Sequence, residues 1–373
     1  MKKKILHVVG GMDVGGTETM LMNLYRNIDR EKYEFHFISY YGREGFYDRE
    51  IKKLGGEIIH LSFSKKLGAL GSILELRRVI KENNYDVVHT HTLFNCGIGV
   101  LAAWLGSAKV RISHAHTVFE EKSGFFKKLY IKSMRKLIEK YSTHYFACSN
   151  KAGESLFGSD ILKRDNYIFI PNYVDYKKFM DDSSRDIGRD ILQIKKDEIV
   201  IGHVGRLIEA KNHVFILKIV EVLKSKGLKV KCIFVGDGHL RDEIESKIAE
   251  YSLKDEVIIT GMVAETKTFL SCMDIFLLPS KYEGFGLVLL EAQSSGLHCI
   301  ASTAIQDETD LEIGLLEKYD LNLGAEFWAE KILERIKRRR NITSKDIDAA
   351  FVKKEYDLDS ILKSLDRVYG GER

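Results

Sequence analysis

The chain has 373 residues, of which 45% are hydrophobic and 30% are charged, and its formal net charge is +4. This length suffices for about two domains with separate cores. No apolar run approaches the roughly 18 residues of a membrane-spanning helix, and the amino terminus lacks the apolar stretch of a signal peptide. The five cysteines are odd in number and have no metal-ligand spacing. We therefore predict a soluble, cytoplasmic protein with reduced thiols.

Short apolar runs alternate with helical patterns along the first 170 residues. They predict strands at residues 5–9, 35–39, 87–90, 110–113 and 145–148. The alternation restarts after a polar segment, with further runs at 199–204, 230–235, 257–260, 275–278 and 299–302. Strands that alternate with helices form parallel sheets covered on both faces. The sequence therefore predicts two doubly wound α/β domains, a linker at 172–197 and an amphipathic last helix at 357–369.

A glycine-rich loop follows the first predicted strand. Gly15 and Gly16 precede Thr17 and Glu18, where a helix is predicted over 17–27. The loop lacks the G-x-G-x-x-G spacing of a dinucleotide-binding turn, so a nicotinamide oxidoreductase is the least favoured class. Taken alone, the loop indicates only that a strand turns tightly into a helix.

Four histidines lie at the ends of two predicted strands, as His89-Thr-His91 and His114-Ala-His116. Binding sites in parallel sheets lie beyond the carboxyl ends of the strands, so His91, His114 and His116 are candidate site residues. For His89 we prefer a hydrogen-bonded structural role. Clustered histidines also suggest zinc, but no cysteine or carboxylate lies at ligand spacing, and we expect no metal.

Residues 122–140 form a basic amphipathic segment in which seven Lys and Arg are interleaved with eight apolar residues. Two interpretations remain open: a helix on an anionic membrane surface, or a domain helix whose apolar face enters the core while its lysines are solvated. The first 170 residues carry a net charge of +9 and the remainder −5. Because this surplus is modest and no recognition motif accompanies it, we expect no nucleic-acid partner.

Two basic residues flank the start of a predicted helix in the second half of the chain. The strand at 199–204 is followed by Gly205, and Arg206 and Lys211 come just before a helix predicted over 212–226. A guanidinium binds two oxygens at once, an ammonium acts as a point charge, and the helix start adds partial positive charge. The arrangement is suited to a diphosphate, although alone it is better explained by two solvated basic residues.

Glu283 and Glu291 have seven residues between them and enclose a glycine turn that opens a predicted helix. We predict that the amides of the turn are unsatisfied first-turn donors for phosphate or sugar oxygens. One carboxylate would stand beside the helix start, and the other can accept hydrogen bonds from a diol such as ribose. Alone, the motif is better explained by two surface glutamates. The turn consists of Gly284, Phe285, Gly286 and Leu287.

In chain order, the glycine loop, the Gly-Arg-x4-Lys-Asn motif at 205–212 and the Glu-x7-Glu motif at 283–291 resemble the retaining GT-B glycosyltransferases of family 4. The resemblance covers most of the chain. It implies two Rossmann-like domains that face a central cleft: an N-terminal acceptor-binding domain, 1–172, and a C-terminal domain for the nucleotide-sugar donor, 173–354. The terminal helix, within 355–373, would pack back on the N-terminal domain.

The resemblance also implies roles for the donor residues. Arg206 and Lys211 would neutralise the diphosphate, so that neither a metal nor another cofactor is required. Glu291 would hold the ribose hydroxyls and Glu283 the donor sugar, assisted by the amides of 284–287. The amide of Met262 would contact the base.

Gly15 and Gly16 would also take part in donor binding, because they would let the first loop approach the phosphates from the other domain. On the acceptor side, the resemblance places a histidine next to the reacting sugar, and we prefer His116 over His114 for this role. His91 would line the same side of the site.

We therefore predict transfer of a hexose or N-acetylhexosamine from a UDP-sugar to a saccharide or polyprenyl-linked saccharide, in exopolysaccharide or capsule biosynthesis at the inner membrane face. The same fold supports epimerisation or hydrolysis of nucleotide sugars, which predicts turnover without an acceptor. A non-catalytic sugar-nucleotide-binding protein would bind the donor without turnover.

Two features depart from or lie outside this pattern. Many relatives continue after the second glutamate with Gly-x-Pro and a glycine pair, which residues 296–308 lack; this resembles an exopolysaccharide and capsule branch and leaves the donor-sugar contacts of that segment open. The D-x-D strings at 346–348 and 357–359 are predicted to be solvated helix faces rather than metal sites.

Overall fold

The computed structural model describes residues 2–13, 15–61, 68–118, 124–180, 185–263, 265–337 and 342–371. The chain divides into two compact units: Met1–Tyr173 together with Tyr356–Arg373, and Val174–Glu355. They are called here the first unit and the second unit. Each unit has its own parallel sheet, with a hydrophobic core on either face.

Within its described residues, the first unit has seven strands: β1 (Lys3–Val9), β2 (Tyr33–Ser39), β3 (Glu57–His60), β4 (Val87–Thr90), β5 (Val110–Ala115), β6 (His144–Ala147) and β7 (Tyr167–Phe169). Its helices are α1 (Gly16–Asn27), α2 (Asp48–Lys53), α3 (Gly68–Glu82), α4 (Cys96–Leu105), α5 (Phe125–Tyr141) and α6 (Asn150–Phe157). All neighbouring strands are parallel, in the order β3-β2-β1-β4-β5-β6-β7.

The described part of the second unit has six strands: β8 (Ile199–Val204), β9 (Val230–Val235), β10 (Val257–Gly261), β11 (Ile275–Leu278), β12 (His298–Ser302) and β13 (Leu316–Tyr319). Its helices are α7 (Arg185–Ile191), α8 (His213–Ser225), α9 (Arg241–Glu250), α10 (Lys267–Ser271), α11 (Leu287–Ser294), α12 (Gly324–Lys337) and α13 (Ser344–Lys353). Its strands are also parallel, in the order β10-β9-β8-β11-β12-β13.

The two sheets share one strand order. In each, the first strand is central, the second and third lie on one side, and the fourth lies on the other. The chain direction across the sheet therefore reverses between β1 and β4, and between β8 and β11, and these switch points are where doubly wound sheets bind ligands. The predicted fold class, two doubly wound parallel sheets, is confirmed.

The central strands are mostly apolar because both faces of each sheet are covered. In β1, for example, Ile5 packs in one core of the first unit, whereas Leu6 packs in the core on the other face. Successive side chains of a strand point to opposite faces, so one continuous apolar run supplies both cores. The five cysteines are buried free thiols within these elements or beside them.

The last helix, α14 (Leu358–Gly370), packs on the first unit. Asp357 caps it by accepting a hydrogen bond from the Ser360 amide at 3.0 Å. Its apolar stripe, which includes Leu365 and Tyr369, enters the core that also contains residues of β1 and β2. Among the described residues, every helix of the chain is too short or too polar to cross a bilayer.

Sequence analysis did not predict β3, β7 and β13, and all three are edge strands. Each has only three or four residues and is incompletely buried, so it lacks the continuous apolar run that marks a central strand. Edge strands pack on one side only and tolerate polar residues. The missed strands are therefore the ones whose signal is weakest.

The predicted linker at 172–197 was wrong for most of its length. Residues Tyr176–Phe179 form a 3-10 turn, α7 follows, and Ile194 packs in a core of the second unit. Arg189 in α7 is buried and pairs with Asp274 at 3.0 Å. The segment 172–197 is polar because it contains this buried ion pair and the surface of a helix, and not because it is an unpacked linker.

Candidate functional site

Lys211 and Glu283 come together at the carboxyl ends of two central strands of the second unit. Lys211 ends a 3-10 turn after β8, and Glu283 follows β11. The Lys211 ammonium donates a hydrogen bond to the Glu283 carboxylate, and only 15% and 17% of the two side chains are exposed. Because β8 and β11 are the strands at which the chain order reverses, this ion pair lies at the switch point of the sheet.

Two further contacts hold the loops that carry this ion pair. The Lys281 amide donates to the Ala210 carbonyl at 2.8 Å, and the Lys281 ammonium pairs with Glu209 at 3.0 Å. A backbone bond and two ion pairs therefore connect the loop after β8 to the loop after β11. The geometry of the switch point is set by this network before any ligand binds.

Arg206 lies in the same loop as Lys211 but differs from it in exposure and in hydrogen bonding. Its side chain is exposed and has no hydrogen-bond or ion-pair partner among the described residues. The loop is closely packed at the backbone, since a Cβ at Gly236 (φ 137°) would lie 2.2 Å from the Gly205 carbonyl oxygen. A guanidinium held on a packed loop without a counter-charge is suited to bind a bidentate anion.

The predicted first-turn donors were wrong in part. Helix α11 begins at Leu287, because Gly286 adopts a left-handed conformation with φ 89° and ends the preceding loop. Gly284 and Phe285 therefore lie before the helix, and Phe285 is buried rather than facing a ligand. Glu283 also precedes the helix, so helical rise does not set its separation from the second carboxylate.

Glu291 lies on α11 and accepts a hydrogen bond from the Thr266 hydroxyl at 3.2 Å. Burial raises the pKa of Glu291 to about 7, and the Thr266 hydrogen bond partly opposes that shift. Unlike Glu283, it has no basic side chain within ion-pair distance among the described residues. The carboxylate is therefore divided between its neutral and charged forms near neutral pH.

Met262 follows β10, and its side chain is 87% exposed. The preceding Gly261 has a left-handed φ of 74°, and its carbonyl accepts from the Gly236 amide at 3.0 Å. This bond connects the end of β10 to the loop after β9, which contains Gly236. The structure thus sets Met262 at the carboxyl edge of the sheet, without a side-chain contact to the other predicted donor residues in the described part of the chain.

Gln306 is a neighbour of Glu283 that sequence analysis missed. Its side-chain amide donates to the Glu283 carbonyl at 3.2 Å. Gln306 belongs to the segment in which the chain departs from the usual family pattern, and that departure was the available signal. The segment left open by the sequence is therefore in contact with the Glu283 loop.

The two D-x-D strings were predicted to be solvated helix faces, and this prediction was wrong in part. Asp346 forms a capping box with Thr343 at the start of α13, and Asp357 caps α14. Asp348 accepts a hydrogen bond from the Tyr176 hydroxyl at 2.7 Å. These carboxylates satisfy backbone amides and a phenol, which accounts for their positions without a ligand.

In the first unit, Gly15 is the N-cap of α1 and Gly16 is its first residue. Neither has a left-handed φ, so the turn itself does not demand glycine. The two differ in space: a Cβ at Gly15 would lie 2.4 Å from the Glu18 carboxylate, whereas nothing lies within 4 Å of a Cβ at Gly16. Open space at Gly16 leaves room for a ligand to approach the backbone.

Five histidines form a ladder on one face of the first sheet. β1 and β4 place His7 beside His89, and β4 and β5 pair His89 with Ile112. Residues two apart on a strand share a face, so the H-x-H pairs on β4 and β5 continue the same stripe. We call this set the histidine ladder. Its members are His7, His89, His91, His114 and His116.

Hydrogen bonds connect the ladder in two rows. In one row, His91 contacts His7 at 3.1 Å through Nε2 and His116 at 2.8 Å through Nδ1. In the other, His89 contacts His114 at 3.1 Å and the Tyr369 hydroxyl at 2.8 Å. The predicted hydrogen-bonded structural role of His89 is confirmed.

Burial lowers the pKa of every histidine in the ladder. The pKa is about 3 for His7 and about 4 for His116, where hydrogen bonding to Asn172 partly opposes the effect of burial. The pKa values of the other three lie well below the ordinary value, because burial and neighbouring imidazoles both disfavour the charged form. At neutral pH the ladder is uncharged, and each ring can donate one hydrogen bond and accept one.

Sequence analysis missed His7 altogether. It lies within an apolar run, and only its register opposite His89 brings it into the ladder. The argument that excluded zinc was also insufficient, because it relied on spacing along the chain. In the described residues, two sets of three ring nitrogens lie close enough to hold a metal ion.

Part of helix α5 is buried, as the domain-helix interpretation of the basic segment predicted, and part of it is exposed. Residues 122 and 123 of that segment lie outside the described residues. Ile131, Met134 and Ile138 are buried, as expected for a helix of the domain. Phe125 and Phe126, in contrast, are 76% and 85% exposed. Two exposed phenylalanines next to lysines form an apolar surface with a basic border. We call the exposed side chains Phe125, Phe126, Lys128, Leu129, Tyr130 and Lys132 the α5 surface.

In the second unit, the exposed Arg206 and the Lys211–Glu283 ion pair follow strands of the sheet, and Glu291 lies on α11. In the first unit, uncharged histidines and a glycine loop follow strands of the other sheet. Cations, carboxylates and neutral imidazoles in such positions are chemically suited to a phosphate-bearing, hydroxyl-rich ligand.

Comparison with known proteins identifies the family. The model for Glycosyltransferase Family 4 matches residues 14–178, and the model for Glycosyl transferases group 1 matches residues 184–309. EpsF of Bacillus subtilis (strain 168), named as a glycosyltransferase, is 37% identical over 335 residues, covering 89% of this chain and 87% of EpsF. The chain belongs to family 4 of the glycosyltransferases and is a glycosyltransferase enzyme, as predicted.

Two other comparisons extend over nearly the whole chain. The capsular polysaccharide biosynthesis glycosyltransferase CapH of Staphylococcus aureus is 26% identical, with 98% of each chain covered. The crystal structure of HepE of Anabaena in complex with UDP superimposes with a TM-score of 0.79 at 18% identity, covering 99% of this chain and 100% of HepE. At that identity the likeness shows the fold alone, and the fold is GT-B.

Proposed function

We propose that this enzyme transfers a hexose or N-acetylhexosamine from a UDP-sugar to a saccharide or lipid-linked saccharide, with retention of anomeric configuration, in surface polysaccharide biosynthesis. The observation that carries the proposal is the Lys211–Glu283 ion pair, with Arg206 on the same loop as Lys211 and without a partner among the described residues. The names of two relatives, EpsF and CapH, support the class of reaction. A third relative, an Escherichia coli UDP-Gal:alpha-D-GlcNAc-diphosphoundecaprenol alpha-1,3-galactosyltransferase, is 30% identical over 62% of this chain.

The second unit supplies the donor site. Arg206 binds the diphosphate through two oxygens, and Lys211 adds a second positive charge, although Glu283 partly neutralises it. Departure of the diphosphate leaves negative charge, which these cations stabilise without a metal ion. The structure of HepE with UDP-glucose supports a uridine nucleotide in a neighbour of this fold.

The two glutamates have different tasks in this proposal. Glu283 is paired with Lys211 and accepts hydrogen bonds from the donor sugar. Glu291 lies on α11, and the Thr266 hydroxyl is the one side-chain partner of its carboxylate among the described residues; it accepts from the ribose diol when it is ionised. The backbone amide of Met262 contacts the base, at a point where the side chain is turned to solvent.

The first unit supplies the acceptor site. His116 is neutral at pH 7 because burial lowers its pKa to about 4. It therefore orients or polarises the reacting sugar as a neutral hydrogen-bonding group and does not act as a cation. His91 holds the ring of His116 through a 2.8 Å hydrogen bond, and Gly16 leaves open space at the start of α1.

The α5 surface supports attachment to an anionic membrane, where a lipid-linked acceptor resides. Exposed aromatic rings enter the headgroup region and lysines bind its negative charge. The test is sedimentation with vesicles of phosphatidylcholine, with and without phosphatidylglycerol. We expect Phe125→Ser combined with Phe126→Ser to lower partitioning at least about tenfold.

Ile191 is the matched control for this test, because it is 61% exposed on the second unit. Ile191→Ser should leave partitioning unchanged. Equal binding of the double variant and the unaltered protein to the anionic vesicles would contradict attachment through the α5 surface.

The donor is tested by calorimetric titration with a panel of uridine-, guanosine- and adenosine-diphosphate sugars, first without metal and then with magnesium. We expect one UDP-sugar to bind selectively and equally well in both conditions. Transfer is then measured with that donor and a lipid-linked saccharide, and the anomeric configuration of the product is assigned by nuclear magnetic resonance.

Other results would replace the proposal. Consumption of the donor at the same rate without an acceptor would identify a hydrolase or epimerase. Tight binding without turnover in the presence of every acceptor would identify a binding protein. Failure of all the nucleotides to bind would contradict the donor site itself.

A further inference from the structure

The histidine ladder contains three imidazoles arranged as potential metal ligands. One ring nitrogen from each of His91, His114 and His116 lies within 4.8 Å of one ring nitrogen of the other two. In a tetrahedral zinc site with Zn–N bonds of about 2.0–2.1 Å, ligand nitrogens are about 3.3 Å apart. His91 Nδ1 and His116 Nε2 are already 2.8 Å apart. Small rotations of the rings would open the space that an ion requires.

The outer contacts of these rings are those that metal-binding histidines make. A ligating imidazole usually bonds through its second nitrogen to a fixed polar group, which orients the ring. His91 is bonded through Nε2 to His7, and His114 is bonded through Nδ1 to His89. The Tyr369 hydroxyl in turn holds His89 at 2.8 Å. The opposite nitrogen of His114 therefore remains to face an ion, whereas that of His91 contacts His116 Nε2, and an ion would replace this contact.

Hydrogen bonding leaves three ring nitrogens of the ladder without a partner among the described residues: His7 Nε2, His114 Nε2 and His116 Nδ1. Of these we consider His114 Nε2, in a side chain that is 1% exposed. A buried polar atom without a partner costs free energy. In a metal site this nitrogen would be a ligand, so the same arrangement accounts for it.

We propose that His91, His114 and His116 form a binding site for one divalent transition-metal ion of the zinc type. The alternative set, His7, His89 and His91, is less suitable because His7 and His89 are at most 2% exposed. His91 and His116 are only partly buried, so an ion can enter and keep a water molecule as its fourth ligand.

This site is separate from the donor diphosphate, which the proposed function assigns to Arg206 and Lys211. An ion bound by His116 removes that ring from the reacting sugar. The bound metal therefore inhibits transfer, and a chelator restores it. Magnesium, which prefers oxygen ligands, has no such effect.

The test is a calorimetric titration of the untagged protein with zinc chloride alone, followed by cobalt chloride with visible absorption as a readout of tetrahedral coordination. We expect one ion per chain. His114→Gln and His116→Asn should each weaken binding at least about tenfold, since each removes a ligand. Zinc should also raise the thermal unfolding midpoint of the unaltered protein but not of these variants.

His239 is the matched control, because it is exposed on the second unit and outside the ladder. His239→Asn should bind zinc as tightly as the unaltered protein. Circular dichroism and binding of the donor nucleotide establish that the ladder variants are folded. Absence of a one-to-one complex in the unaltered protein, or equal affinity in the folded His114→Gln and His116→Asn variants, would overturn the proposal.

Discussion

The two units have the same strand order, but they accommodate buried polar side chains in opposite ways. In the second unit, the lysine and glutamate at the switch point are paired with each other. In the first unit, the switch point carries imidazoles that are neutral at pH 7 and have no carboxylate partner among the described residues. The fold therefore determines where a site lies, and the presence or absence of a counter-charge determines its chemistry.

In the proposed function, this difference separates binding from reaction. Charged groups attract an anion, so their removal from the second unit should affect donor affinity. Neutral rings in the first unit add little to anion affinity, and their removal should affect rate. The following variants test that division, beginning with the largest expected effect.

Lys211→Ala removes one of the two cations proposed to bind the diphosphate and leaves Glu283 without its partner. We expect the Kd for the UDP-sugar to rise at least about 100-fold, which corresponds to about 2.7 kcal/mol. The free energy of unfolding should fall by about 1–3 kcal/mol, because a mostly buried carboxylate loses its hydrogen-bond donor. Calorimetry and chemical denaturation measure the two effects.

Lys281→Ala is the control, since Lys281 is a half-exposed lysine in the same network that pairs with Glu209. It should change donor affinity by less than about threefold, because exposed ion pairs contribute little. Adding Glu283→Gln to Lys211→Ala should recover stability without recovering binding. Near-normal donor binding in Lys211→Ala would contradict the assigned diphosphate site.

His116→Ala tests the first unit. We expect kcat to fall by about 100-fold, while the donor Kd changes by less than about threefold. Because the pKa of His116 is about 4, its protonation should not change the rate between pH 6 and 8. If the variant lost donor affinity alone, His116 would belong to the donor site. The division of binding and reaction between the two units would then be wrong.

Glu291→Gln tests the one carboxylate that burial leaves half neutral at pH 7. If ionised Glu291 accepts from the ribose diol, donor affinity should rise roughly tenfold from pH 6 to 8, as the group with a pKa of about 7 loses its proton. In Glu291→Gln this increase should vanish. Calorimetry across that range measures it, and an unchanged pH profile in the variant would rule out the role.

The stability of the free protein should depend on Glu291 in the opposite sense. The folded pKa is above the unfolded value, so the native state holds the proton more tightly than the unfolded chain does. The contribution of this group is therefore fully present below about pH 4.5 and is lost as pH rises through about 7. Glu291→Gln should remove this decline, which denaturation at several pH values detects.

Gly286→Ala and Gly16→Ala compare the glycines of the two sites, and the expected effects are the smallest. Gly286 has φ 89°, a conformation that costs a residue with a Cβ about 1–2 kcal/mol, so its variant should lose that much stability. Gly16 has open space and no left-handed φ, so its variant should be as stable as the parent. A stability loss in Gly16→Ala would contradict the observed geometry.

Much of the fold could be predicted from the sequence, and the failures have a common cause. Central strands such as β8 and β9 are apolar on both faces, and their bounds were predicted to the residue. The edge strands β3, β7 and β13 carry no such run, because only one of their sides is paired in the sheet. The segment around Arg189 was taken as a linker because its pairing with the distant Asp274 cannot be recognised locally.

The candidate site was likewise predicted only in part. Motif spacing identified Arg206, Lys211, Glu283 and Glu291 as candidate donor-site residues. It placed the helix start too early, since the conformation of Gly286 follows from packing and not from its identity. It missed His7 and Gln306, whose partners lie 84 and 23 residues away along the chain.

By itself, the sequence determined which segments are strands or helices and which polar residues follow them, because hydrophobic periodicity and local turn chemistry act over short distances. Only the tertiary structure decided which of these residues meet. Register between parallel strands assembled the histidine ladder, and the reversal of strand order brought Lys211 to Glu283. It also decided the charge of each group, because burial and the nearest counter-charge are properties of the folded chain.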